Sequence, residues 1–331
     1  MFMQRIALSL TIALCALAAL VPLAVHAADD LKDYPVRPVR MINPFPPGGS
    51  SDPSCRLLAD AMSKALGQQF VVDNRGGGNG NIGTAIAAKS TADGYVLLFA
   101  SGTTFTINPY VYKSLGFDPA KDFVPIIKYG AVPNVLVVHP SIPARTLTEF
   151  TQYVKAHNDE LNYASAGNGS SMHMAAELYQ KMTATKMRHI PYVSPGLATQ
   201  DTMANRTQLI FHLLPAIAQQ VIAGNLRALA VLSATRTSVL PDVPTTSEAG
   251  LPGLEAGTWY AVMGPAGIPK PIVAKLNKQI NAALDEPVFR KRVMDMGVTI
   301  MGGTPEDVTS FIASEGRKWS EVVQRAGVKV D

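Results

Sequence analysis

Apolar positions along this chain follow two alternating rhythms. Short continuous runs, Val39 to Ile42, Phe70 to Val72 and Tyr95 to Phe99, read as buried strands. Between the first two, Leu57, Leu58, Ala61, Met62, Ala65 and Leu66 make one face at helical spacing. Asp52 stands as the N-cap of that helix, Pro53 at its first position and Gly67 at its end. A second helix is expected from about Ile82. The same alternation returns with a strand at Val135 to Val138, a helix from Thr146, a strand at Leu161 to Ala164 and a helix from Ser171. Further strands are expected at Leu209 to Phe211, Ala228 to Leu232 and Tyr260 to Met263. The C-terminal part reads as helical: Lys270 to Leu284, a helix from Pro287 to Gly297, and a last helix with the capped start Thr304-Pro305-Glu306-Asp307.

Strand and helix in alternation predict βαβ units and largely parallel sheets. The fold class expected is α/β in two lobes, each a mixed, mostly parallel sheet flanked by helices. Lobe I takes residues 28–135 and 252–331, and lobe II takes 136–251. Two crossings between lobes would make a hinge.

The first 27 residues are set apart from the fold. Arg5 precedes a nearly unbroken apolar run, and Val25-His26-Ala27 offers small residues at a cleavage site. That is the pattern of a secretory signal peptide, so the mature chain is expected outside the cytoplasmic membrane. The leader carries Cys15, which leaves Cys55 as the one mature cysteine and no intrachain disulfide. Stability must then come from the core. Of the 331 residues 47% are apolar and 16% charged, which excludes disorder. A formal charge of +4 without a basic block argues against nucleic acid as a partner.

Chemistry concentrates in loops between a strand and a helix. Pro47, Gly48, Gly49, Ser50, Ser51 and Asp52 form the first. Glycines allow close approach of backbone to a ligand, and the helix start turns free N–H groups toward anions. Asp52 either caps its helix or meets a ligand amine or hydroxyl. Ser165, Ala166, Gly167, Asn168, Gly169 and Ser170, followed by Ser171, repeat that chemistry in the other half. Two such loops, one per lobe, could hold a carboxylate through amides and hydroxyls with no arginine. Gly102, Thr103 and Thr104 form a third small-residue loop at a strand end. Gly78 to Gly83 spells GxGxxG, yet the following strand ends without the acid that would hold a ribose, so no dinucleotide cofactor is expected. No GxSxG and no metal-binding histidine pair occurs, so neither an enzyme nor a metal site is predicted. An exported hydrolase using Ser170 or Ser171 would lack a recognisable base.

As an ordered set, these pieces resemble the Bug family, the periplasmic solute receptors of tripartite tricarboxylate transporters. The matching stretches are Tyr34-Pro35, Asn43 through Asp52, Val72-Asp73-Asn74-Arg75, Gly80-Asn81-Ile82-Gly83, Asp93-Gly94-Tyr95 and Ser165 through Ser170. Leu226 through Val231, Leu240 through Thr245, Glu248-Ala249-Gly250 and Trp259 through Gly267 continue the match. The resemblance implies a two-lobed periplasmic binding protein fold of type II-like character. It implies a small carboxylate held between the first two loops, partly through water, and delivered to membrane permease subunits by a monomeric receptor. A sensor docking to a signalling receptor would bind the same ligand. Two stretches depart from the family pattern: Tyr192 to Gly196, and Phe211-His212, where the family commonly ends the strand with Phe-Asp. His212, if it lies in the cleft, favours a second acceptor group on the ligand and disfavours an amine; the alternative is a satisfied core residue.

Overall fold

The computed structural model describes residues 33–330; the leader expected at 1–27 lies outside them. Ten strands form one sheet: β1 Val39–Asn43, β2 Phe70–Asn74, β3 Val96–Ser101, β4 Phe123–Val138, β5 Asn162–Ser165, β6 Arg188–Pro191, β7 Leu209–Leu213, β8 Arg227–Val231, β9 Gly257–Pro265 and β10 Thr299–Gly302. The helices are α1 Asp52–Leu66, α2 Asn81–Ala88, α3 Asn108–Val111, α4 Leu147–Ala156, α5 Ser171–Thr183, α6 Pro195–Met203, α7 Leu214–Ile222, α8 Lys270–Asp285, α9 Pro287–Asp295 and α10 Pro305–Ala326. Among the described residues no helix is long and apolar enough to cross a membrane.

The strand order is β2-β1-β3-β9-β4-β7-β5-β6, with β8 and β10 also paired to β4. In the first half β1 runs parallel to β2 and β3. In the second, β5 runs parallel to β6 and β7. The carboxyl ends of each parallel set therefore lie on one edge, and the loops that follow those strands cluster there.

Strand β4 joins the halves. Its segment from Phe123 to Pro133 pairs antiparallel with β9, and its segment from Asn134 to Val138 pairs with β7 and β8. At the junction three segments tie together: Asn134 N–H donates to Ala256 (2.9 Å), Leu232 N–H to Asn134 (2.8 Å) and Ala256 N–H to Leu232 (3.1 Å). The sequence pattern predicts only the end of this strand. Pro125 and Pro133 interrupt the apolar run, and the register shifts between Pro125 and Ile127 and between Lys128 and Gly130, as prolines and bulges in a strand require.

Two large apolar cores flank the junction. Met41, Leu58, Met62, Phe99, Tyr129, Tyr260 and Leu276 belong to the first. Leu136, Phe150, Tyr163, Tyr179 and Phe211 belong to the second. Helix α10 serves both halves. Its early residue Val308 packs with Phe105 and Trp259, and Trp319, Val322 and Val323 enter the second core. Ile107 and Val111 also join that second core. Of the residues expected in lobe I, Ile107, Val111, Trp319, Val322 and Val323 pack into the second core, while Val308 stays with Phe105 and Trp259.

Candidate functional site

The first loop leaves β1 and enters α1. Pro46, Pro47 and Gly48 are exposed, Gly49 and Ser50 half-buried, Ser51 and Asp52 buried. Ser51 donates its hydroxyl to Asn43 Oδ1 (2.9 Å). Ser50 Oγ lies 3.0 Å from the hydroxyl of Tyr260. Asp52 is drawn inward: its carboxylate accepts from Gly48 N–H (3.1 Å), Arg56 Nε (3.1 Å) and Asn74 Nδ2 (3.0 Å). Burial alone would raise its pKa; the bonds from Arg56, Gly48 and Asn74 outweigh that and hold the carboxyl below its ordinary value. The N-cap of α1 is Ser51 and not, as expected, Asp52, which is the first helical residue and fastens the loop to its own helix and to β2.

The second loop leaves β5 and enters α5. Ala166 and Gly167 are half-buried and Asn168 is exposed, with Ser165, Gly169, Ser170 and Ser171 buried. Ser170 caps α5 by accepting His173 N–H (3.2 Å). Gly167 N–H is held by Ser165 Oγ (3.1 Å) and Gly169 N–H by His173 Nδ1 (3.1 Å). The N–H groups of Ser50 and Ser51 in the first loop, and of Ala166 and Asn168 in the second, meet no acceptor among the described residues. Unpaired donors at strand-to-helix turns are what an anion recognises.

A contact across the halves brings the second loop against the first half. Asn79, in the turn after β2, has φ 51° and points its amide at Gly169 O (3.3 Å) and Asn108 Oδ1 (3.1 Å). Asn108 Nδ2 returns bonds to Asn79 O (3.1 Å) and Asn81 Oδ1 (2.6 Å). The glycine-rich stretch that spells GxGxxG thus acts as an inter-lobe turn. Asparagine tolerates left-handed backbone, which is the one sequence signal for this role. Nothing in the sequence marks Tyr260, which reaches Ser50 from β9.

The third loop is less accessible than its small residues suggest. Gly102, Thr103 and Thr104 are buried. Thr104 donates to Ser101 O (2.8 Å), and Gly102 lies against the indole of Trp259, 2.7 Å from Nε1 to an added Cβ. Thr104 is thus tied to its own strand end, and Gly102 packs on the first half's core.

His212 is buried as well. It closes β7 at the same sheet edge as the second loop, yet is 3% exposed. Its Nδ1 lies 3.2 Å from Leu213 O. Burial pushes its pKa down to about 4 against the pull of the Leu213 and Pro195 carbonyls. The ring is turned to backbone at the end of β7 and the start of α6, the contacts of the core-residue alternative. Two surface grooves, about 340 Å³ beside Ile82, Ile86 and Lys89 and about 470 Å³ between α1, α8 and α9, include no residue of either amide loop.

Residues 54–328 match the model of the tripartite tricarboxylate transporter family receptor. The chain belongs to this receptor family. It is 38% identical over 298 residues to protein BugT of Bordetella pertussis, covering 90% of this chain and 91% of that one. Among solved structures it resembles an R. palustris protein with adipate at TM-score 0.84 and 35% identity, covering 89% of this chain and 99% of that one. MatC of Rhodopseudomonas palustris with bound malate aligns at TM-score 0.79 and 31% identity, covering 88% and 100%. The tripartite tricarboxylate receptor fold is a solute-binding one, so this chain is a receptor and not an enzyme.

Proposed function

We propose that this receptor closes its two halves on a small carboxylate, gripped by the amides of the loops Pro46–Asp52 and Ser165–Ser171. It would then pass the ligand to the permease subunits of a tripartite tricarboxylate-type transporter. The observation that carries the reading is the pair of loops, one per half, each bearing free N–H groups at carboxyl ends of parallel strands, with Asn79 joining the halves at Gly169. Charge-assisted hydrogen bonds contribute about 1.5–3 kcal/mol each, so several of them, less the association cost, reach micromolar affinity, about −8 kcal/mol. Relatives solved with adipate and malate make short dicarboxylic acids the first class to test. The basic and apolar leader supports a periplasmic site of action. In this reading Asp52 and His212 shape the site and do not touch the ligand.

The test is thermal-shift screening of the mature protein with adipate, malate, citrate and free amino acids. A dicarboxylate should raise the midpoint by mass action. Ser50→Asp and Asn168→Asp, both at solvent-reachable positions, should each weaken binding about tenfold or more by placing a like charge at the grip. Equal binding by both variants would refute the two-loop grip.

A further inference from the structure

Beneath the second loop lies a cluster that the proposed grip does not use directly. The rings of His173 and His189 stack 3.9 Å apart at 8°, and Tyr163 stacks on His189 at 4.9 Å and 17°. His173 comes from α5, His189 from β6 and Tyr163 from β5. Tyr163 donates to Glu177 Oε1 (2.7 Å), and His173 Nε2 faces the same oxygen at 3.6 Å. His189 Nε2 lies 2.5 Å from Ser165 Oγ, the atom that accepts Gly167 N–H. His173 Nδ1 accepts Gly169 N–H. The stack therefore ends in two acceptors, each holding one glycine amide of the loop.

The consequence is geometric. A short turn has few ways to orient its peptides. With Gly167 and Gly169 N–H turned inward to Ser165 and His173, the intervening Asn168 N–H has no inward acceptor. Gly167 and Gly169 have φ of 99° and 74°, backbone that only glycine holds without strain. A chain this free keeps one shape only if something fixes it. We propose that His173 is a positioning residue for the ligand grip: its Nδ1 fixes the Gly169 peptide so that neighbouring loop amides converge on the carboxylate.

This rests on the carboxylate reading above. Nδ1 can accept only from a neutral ring carrying its proton on Nε2, the nitrogen facing Glu177. Glu177 on α5, Tyr163 on β5 and His189 on β6 are the titratable groups that meet this ring. Burial pushes His189 down to about 3, so the second ring of the stack is neutral as well. Gly169 O meanwhile accepts from Asn79 of the other half. Gly169 thus gives its N–H to His173 and, in the next peptide along, its carbonyl to the opposite half.

Two substitutions separate positioning from packing. His173→Asn places an amide oxygen near the site of Nδ1, and His173→Gln places one near Nε2. Hydrogen exchange at Gly169 N–H is measured in the unliganded protein by NMR, and adipate and malate affinity by calorimetry. In His173→Gln the Gly169 amide should exchange about tenfold faster or more and the bound acid be held about tenfold more weakly, while His173→Asn stays near wild type in both. Unchanged Gly169 exchange in His173→Gln, or equal losses in the two variants, would overturn the proposal. The exchange measurement needs no ligand. Binding of neither acid by wild type, with the exchange pattern as expected, would strike the carboxylate reading and leave the hold on Gly169 standing.

Discussion

His212 converts burial into a pH dependence that can be worked out beforehand. An imidazole in the unfolded chain titrates near 6.5, and in the folded protein near 4. Between these values the unfolded state binds the proton and the folded state does not, so stability falls as pH drops through this window and is intact above it. A tenfold difference in proton affinity is worth about 1.4 kcal/mol, so the full effect is about 3 kcal/mol. Most of it should be expressed between about pH 8 and about pH 4.5. The assay is urea denaturation of wild type and His212→Leu across that range. Other titrating groups occur in both proteins and cancel in the difference. Relative to the variant, wild type should lose about 2.5 kcal/mol on acidification. A difference constant to about 0.5 kcal/mol would refute the reasoning, as would an imidazole resonance titrating near its free value, because either would mean that water reaches the ring.

Three further outcomes follow from the geometry. Asp52→Ala should cost about 2–3 kcal/mol in urea denaturation, since Gly48, Asn74 and Arg56 lose their shared acceptor. Because the Asp52 pKa is depressed, that gap should hold above its unfolded value and close as pH falls through the folded one. Gly169→Ala combines φ 74° with an added Cβ 2.9 Å from Val111 Cγ1; about 2–4 kcal/mol should be lost, with Val111→Ala restoring the steric part and leaving the backbone part. Trp319→Ala removes a ring that is 2% exposed in the second core and should lower stability by about 3–5 kcal/mol, read from the denaturation midpoint.

Much of the fold is legible in the sequence because local signals agree with packing. The face of Leu57 to Leu66, its proline start and its Gly67 end all point to one helix, and α1 spans Asp52–Leu66 with Gly67 left-handed. Strand β4 is read only from Val135 on, because its earlier residues pair through bulges around prolines that mimic a loop. Strand β10 escapes notice because it is short and set by pairing with β4, and helix α7 because it follows β7 directly with the apolar Leu213 at its N-cap and no capping side chain. Both amide loops could be named from composition and their position between strand and helix. The burial of Thr104 and His212 could not, because which face a polar residue turns depends on partners that no local pattern specifies, such as Ser101 O and Pro195 O. Tyr260 stands 210 positions from the serine it meets, and no local pattern reports that distance.

The shared membership of β4 and α10 has a thermodynamic consequence. A strand that ends one sheet half and begins the next, and a helix with its start in one core and its end in the other, leave no seam along which either half could melt alone. Any flexure between the halves must then pass through a continuous ribbon, and loss of either interior strips packing from the other.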